Sequence, residues 1–224
     1  MMSNITIIQH YTNDIAECFD LVRANNAAYA YKHGYNYIAV KVQKCEGHDS
    51  TWDKVFILDK HINVPNIDPS SWFHFLDADA IYVNDNIKLE SIINAYSTPV
   101  IISQNGPNGG EHLNMGSILL KADARTREML DYAINFFHSN PVYKKGIWHE
   151  QTAINLFYSN HPEGKNTITS VPFNIINSHW KWTGDYSMFI YHAMSSITHD
   201  KYSDTSRDNL LKNITETLSS MRDK

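Results

Sequence analysis

Apolar positions along this chain come in two rhythms. Short unbroken runs alternate with longer stretches in which apolar residues recur every three or four positions. Thr6-Ile7-Ile8-Gln9 is the first run and predicts a strand. Asn13 or Asp14 can cap a following helix, on which Ile15, Cys18, Phe19, Val22 and Ala27 fall near helical spacing. Gly34 stands where a C-terminal cap belongs. Residues 35–42 predict a second strand, so the chain opens β-α-β, the start of a parallel sheet. Lys44 to Ser50 is polar and loop-like, and Trp52 to Leu58 predicts a helix ended by a turn around Pro65 and Pro69. The aromatic run Trp72 to Leu76 predicts a buried strand. Beyond it, the pattern predicts a helix over 86–96, a strand over 99–103, a Gly- and Asn-rich loop over 104–112, and a strand over 114–120. Helices are predicted over 123–138, with Met129, Ala133, Phe136 and Phe137 on one side, and over 149–159, stopped near Pro162. Leu210, Leu211, Ile214, Leu218 and Met221 share a face of a terminal helix. This alternation predicts an α/β fold.

Composition narrows the class. The length of 224 residues suits one domain, 1–224, and 42% hydrophobic residues suffice for a sizeable core. The net charge is -5 and there is no Lys/Arg run, which argues against nucleic-acid binding. Two cysteines, Cys18 and Cys45, make no disulfide framework and fit an intracellular, reduced protein. The N-terminus lacks a signal peptide and no apolar run is long enough to span a membrane, so the expectation is a soluble, cytoplasmic chain.

Candidate chemistry begins at Asp77 and Asp79, one residue apart and directly behind the aromatic strand. Asp-x-Asp pairs in polar loops are commonly just solvated or cap a helix. Here the flanking residues are apolar, and two carboxylates at a core edge are unfavourable without a cation or donors. A divalent metal at the carboxyl end of a central strand is the economical explanation, since open α/β sheets place ligands there. Hard carboxylate oxygens suit Mg²⁺ or Mn²⁺, with a substrate diphosphate completing the shell.

Weaker candidates follow. His192, within Phe189 to Met194, is by position an ordinary core histidine, yet its imidazole could be a third ligand favouring Mn²⁺. Asn114 and Gly116 follow a loop containing Gly109 and Gly110; Gly116 permits close backbone approach, or marks a strand bulge. Trp148-His149-Glu150-Gln151 opens a helix, where Glu150 is favoured electrostatically in any case. In a cleft, Glu150 and Gln151 could contact a sugar, and Glu111 is a further carboxylate. The less regular region 165–205 is expected to close over this site.

Taken in order, several pieces resemble the GT-A fold nucleotide-sugar glycosyltransferases, and in particular the galactosyltransferase family of the GMA12/MNN10 type. They are residues 29–35, Trp52-Asp53-Lys54-Val55, Phe75-Leu76-Asp77-Ala78-Asp79-Ala80, Leu113-Asn114-Met115-Gly116, Glu150-Gln151 and Tyr191-His192-Ala193. The resemblance implies a mostly parallel central sheet flanked by helices and a nucleotide-sugar donor, UDP by family habit. Asp77 and Asp79 would hold Mn²⁺ (or Mg²⁺) and the donor diphosphate, with His192 completing the metal shell. Asn114 and Gly116 would lie under the donor sugar, Glu150 and Gln151 beside the anomeric carbon and acceptor, and Gln9, Tyr11 and Thr12 around base and ribose. The chain departs from the pattern in reading Asn114-Met115-Gly116 and in having Thr152 rather than an acid after Gln151. A compact soluble member would suit bacterial surface polysaccharide or large-virus capsid glycan synthesis.

The reaction so implied moves a hexose or pentose to a glycan hydroxyl. Retention needs no protein base if the leaving phosphate takes the proton; inversion needs a carboxylate opposite the leaving group, Glu150 or Glu111. Two other classes stay open. A metal-dependent phosphohydrolase also uses Asp-x-Asp after a strand, but Gly184-Asp185 has no second acid beside it. A nucleotide-sugar-binding module without turnover would keep the same fold.

Overall fold

The first strand, β1 (Ile5–Tyr11), pairs in parallel with β2 (Asn36–Lys41) on one side and β3 (Trp72–Leu76) on the other. The computed structural model describes residues 4–107, 110–145, 149–178, 188–193 and 204–222. The crossover between β1 and β2 is helix α1 (Ala16–His33). It ends as predicted, Gly34 adopting φ +72° so that its N–H and that of Tyr35 reach back to the carbonyls of the last turn. Helix α2 (Asp53–Ile62) leads to β3, and outlasts the predicted 52–58 because Ile62 continues the buried stripe of Val55 and Leu58.

After β3 come β4 (Ala80–Tyr82), α3 (Leu89–Ile93), β5 (Val100–Gln104) and β6 (Leu113–Lys121). The helix predicted over 86–96 shrinks to α3: Asn84 accepts from the Asn86 N–H and closes a turn that consumes the first residues. Next are α4 (Ala124–Ser139), α5 (His149–Asn160), α6 (Gly164–Thr167), β7 (Ile168–Val171), α7 (Phe173–Ile176), β8 (Ile190–His192) and α8 (Asp204–Arg222).

The main sheet runs β2-β1-β3-β6-β5-β7. Its pairs are parallel except those of β6, which runs against both β3 and β5. The unbroken apolar runs are explained by burial on both faces. Ile8, Phe75, Ile118 and Leu120 pack on one side beneath α2, α4 and α5. Ile7, Leu76, Ile101 and Leu119 pack on the other with Tyr29 of α1. The architecture is therefore the expected α/β class, a central sheet flanked by helices.

The region expected to be merely irregular supplies two strands. β7 joins the edge of the main sheet, and β8 pairs antiparallel with β4 in a separate two-stranded ribbon, Ala80 opposite His192. Leu210 and Ile214 of α8 pack on this ribbon and on α1 through Ile81, Tyr191, Cys18 and Val22. Gly109, Trp148, Gly184, Asp185 and Met194 of the sequence reading lie outside the described residues.

Candidate functional site

β3 stops at Leu76, and the chain turns at once. The Asp77 N–H donates to the Gly116 carbonyl at 2.8 Å, and the Ala80 N–H donates back to the Asp77 carbonyl at 3.0 Å. This turn sets both Asp77 and Asp79 at the carboxyl end of β3, level with the end of β1. Two buried amides clamp it from beneath. Gln9 Nε2 donates to the carbonyls of Asp77 (2.9 Å) and Ala80 (3.3 Å), and its Oε1 accepts from Asn26 Nδ2 and the Tyr37 hydroxyl. Asn26 also donates to the Ala80 carbonyl and accepts from the Tyr82 N–H. Gln9 therefore has no polar valence left for a ligand, and its expected nucleotide contact is corrected: it is a support of the Asp-x-Asp turn.

The ribbon then brings His192 back. The Ala193 N–H donates to the Asp79 carbonyl at 3.1 Å, locking β8 to the turn. His192 Nε2 lies 3.1 Å from Asp79 Oδ1 and 3.7 Å from Asp77 Oδ2, and one donor atom from each of the three residues falls within 4.8 Å of the others. Burial pulls the imidazole towards neutrality, but Asp79 and then Asp77 outweigh it and raise its pKa above the ordinary value. Burial likewise opposes ionisation of Asp77, yet Lys54 and His192 hold its pKa below the usual carboxylate range. Two carboxylates and one imidazole are a donor set that fits Mn²⁺ or Mg²⁺, and the half-buried carboxylates leave an open side for further ligands.

Lys54 is the residue that the sequence reading did not single out. The residue is 2% exposed, and its ammonium bonds to Asp77 Oδ1 at 2.8 Å and Glu150 Oε1 at 3.0 Å and donates to the Met115 carbonyl at 3.3 Å. Burial favours the neutral amine; Asp77 and Glu150 reverse that and keep it charged. A lysine four residues before Leu58 on the apolar stripe of α2 was the available signal.

Around this centre, β6 parts from β5. Ile102 pairs with Ile118 but Ser103 with Asn114, so Met115, Gly116 and Ser117 bulge from that ladder. The freed backbone is met by α5: Gln151 Oε1 accepts from the Met115 N–H at 3.2 Å, and Asn155 bonds both backbone groups of Leu113. The Gln151 amide nitrogen has no partner among the described residues. Asn114 lies beside His192 through Asn177, which bonds Asn114 Oδ1 at 2.7 Å and His192 Nδ1 at 2.9 Å. Gly116 abuts the imidazole itself: a Cβ built there would lie 2.2 Å from His192 Cε1.

The remaining candidates fall further out. Tyr11 stacks on Phe19 with centroids 4.2 Å apart, and the buried Thr12 hydroxyl bonds to Asp14, both at the carboxyl end of β1. Glu111 is exposed and pairs with Lys165 at 3.9 Å across solvent.

Parallel strands that deliver an Asp-x-Asp turn, one reversed strand at the centre of the sheet, and helices on both faces make up a GT-A-type fold, that of nucleotide-sugar glycosyltransferases. A crystal structure of a glycosyltransferase involved in glycosylation of the major capsid of PBCV-1 matches with TM-score 0.73 and 16% identity, over 95% of this chain and 98% of that one. The galactosyltransferase LgtC, solved with donor and acceptor sugar analogs, matches with TM-score 0.54 and 9% identity, over 96% and 95%. The glycosyltransferase GlyE of Streptococcus pneumoniae TIGR4 matches with TM-score 0.53 and 13% identity, over 96% of this chain and 63% of that one. At these identities the likeness is one of fold. In sequence, residues 1–105 match the galactosyl transferase GMA12/MNN10 family, a little under half of the 224 residues. No curated protein matches the chain by sequence. No helix among the described residues is long and apolar enough to cross a membrane.

Proposed function

We propose that this protein is a metal-dependent glycosyltransferase that moves a hexose or pentose from a nucleotide-diphosphate sugar, UDP-linked by preference, to a glycan hydroxyl with retention of configuration. The observation that carries the reading is the convergence of Asp77, Asp79 and His192 at the carboxyl end of β3 in a GT-A-type fold. Those three residues would hold Mn²⁺ or Mg²⁺. Such an ion neutralises charge that develops on a departing diphosphate.

The chain's own residues divide the remaining work. Lys54 keeps Asp77 ionised and oriented, and adds a fixed positive charge behind the centre. Asn114 and Gln151 line the bulge of β6, where the Gln151 amide nitrogen, without a partner among the described residues, would offer a donor to the transferred sugar. Tyr11 and Thr12, at the end of β1, would contact base and ribose. Glu150, the carboxylate beside the centre, is buried and bonded to Lys54, which weakens it as a base for an acceptor proton. That favours retention, in which the leaving phosphate takes the proton.

The test is thermal melting with Mn²⁺ and a panel of nucleoside diphosphates, followed by release of the diphosphate from the matching nucleotide sugar. A ligand that binds only the folded form raises the melting temperature. The expected result is a Mn²⁺-dependent shift with one nucleotide, and sugar release in its presence, both lost in Asp79→Ala. Equal shifts and turnover in Asp79→Ala would overturn the metal reading.

A further inference from the structure

We infer that Asn177 is a positioning residue that decides which nitrogen of His192 faces the metal, and that it takes its own orientation from the backbone of β6 through Asn114. The inference rests on the metal-dependent reading above and goes beyond its ligand set.

The polarity of the relay follows from one atom that cannot be turned round. The Gly116 N–H can only donate, and it bonds Asn114 Oδ1 at 2.8 Å, so that atom is the amide oxygen. The other end of the same amide, Nδ2, donates to Asn105 Oδ1 at 3.0 Å, which agrees. Asn177 approaches Asn114 Oδ1 at 2.7 Å and must therefore present its NH₂ there. Its oxygen is then the atom 2.9 Å from His192 Nδ1. An amide oxygen only accepts, so Nδ1 carries the hydrogen. Nε2, which lies between Asp79 and Asp77, is thereby the nitrogen left to ligate.

Burial makes this relay compulsory. Asn177 is 1% exposed, Asn114 8% and His192 6%, so bulk water does not solvate these groups and each needs a partner held in place. The backbone carries the same connection. The Ser178 N–H donates to the Ile190 carbonyl and the His192 N–H to the Ser178 carbonyl, so Asn177 is held in register with β8. A metal-bound imidazole whose other N–H is fixed by a protein acceptor is more basic and better aimed, and loss of such a partner typically costs about 10- to 100-fold in metal affinity.

The experiment measures Mn²⁺ binding by calorimetric titration and the ¹⁴N coupling to Mn²⁺ by pulsed EPR. Wild type, Asp79→Ala, Asn177→Ala and Asn177→Asp are compared, with melting of each metal-free protein as the control for folding. Asn177→Ala is expected to lose about 10- to 100-fold in affinity and to weaken the nitrogen coupling. Asn177→Asp keeps an acceptor for the Nδ1 proton but loses the donor to Asn114 Oδ1, so it is expected to recover part of the affinity and of the nitrogen coupling lost in Asn177→Ala. A packing role predicts the opposite order, since a buried charge is tolerated worse than a small cavity. Wild-type affinity and coupling in Asn177→Ala would overturn the relay. A measurement on wild type alone does not depend on any variant folding: in the Mg²⁺-loaded protein the imidazole ¹⁵N shifts should show hydrogen on Nδ1, and hydrogen on Nε2 overturns the assignment. Absence of Mn²⁺ binding by wild type, or binding indifferent to Asp79, fails the metal reading itself, a result distinct from failure of the relay.

Discussion

The imidazole of His192 occupies the space in which a side chain on Gly116 would begin. A Cβ at Gly116 would stand 2.2 Å from Cε1 and 2.5 Å from Nδ1 of the ring. Glycine is needed here for a close approach, and the approaching group is the candidate ligand itself. Gly116→Ala should therefore push the ring off its position and lower Mn²⁺ affinity by about 10- to 100-fold, at a folding cost of about 1–3 kcal/mol. Calorimetric titration against the melting curve separates the two effects; unchanged affinity would remove His192 from the metal shell.

Lys54 bonds two carboxylates from inside the fold, and its loss would leave Glu150 buried without its cation and Asp77 with His192 alone. Lys54→Ala is expected to destabilise the metal-free protein by about 3–5 kcal/mol, read as a fall of roughly 10 °C in melting temperature. Mn²⁺ should recover part of this, because a cation bound at Asp77 replaces some of the missing charge. A variant that melts as wild type would show that the ion pair contributes nothing net.

His74 gives the fold a built-in acid sensitivity. It is wholly buried between the Tyr82 hydroxyl at 2.6 Å and the Ser117 hydroxyl at 2.9 Å, and burial lowers its pKa from 6.5 to about 3. The folded chain thus resists a proton that the unfolded chain accepts. Stability is unaffected by this group above pH 6.5, falls as pH drops from 6.5 towards 3, and levels off below. The slope approaches about 1.4 kcal/mol per pH unit. Urea unfolding at several pH values should show His74→Gln to be flatter by that slope within the window; an identical profile would mean that His74 is protonated in the native state.

The clamp beneath the Asp-x-Asp turn has its own signature. Asn26→Ala removes a donor from Gln9 and Ala80 and an acceptor from the Tyr82 N–H, all buried. A loss of about 1–3 kcal/mol is expected, together with weaker Mn²⁺ binding as the turn loosens. Stability reduced in urea unfolding with metal affinity intact would show that Gln9 and the β4–β8 ribbon hold the turn without Asn26.

Local pattern carried much of this. The alternation of apolar runs and helical spacing foretold β1, α1, β2, β3, β5, β6, α4 and α5, and Gly34 as a cap, because burial of a face imposes a period that neighbouring residues record. The same pattern misjudged α3, where Asn84 closes a turn, and missed β7 and β8, each too short to show a period. Asp77 and Asp79 were visible because two charges interrupt an apolar strand within three residues. Lys54 belongs to the motif Trp52-Asp53-Lys54-Val55, and a lysine on an apolar stripe is a signal in itself.

What the sequence by itself determined is the α/β class and the place of the carboxylate pair at a strand end, since both follow from the chemistry of adjacent residues. Only the tertiary structure decided that Gln9 supports the turn rather than facing a ligand, that Lys54 joins Asp77 to Glu150, and that Gly116 and Asn177 seat His192. Each of those facts is a pairing between segments far apart in the chain. The hydrogen-bonding capacity of a glutamine or an asparagine is the same in every fold, and what it bonds is settled only when packing brings a partner within reach.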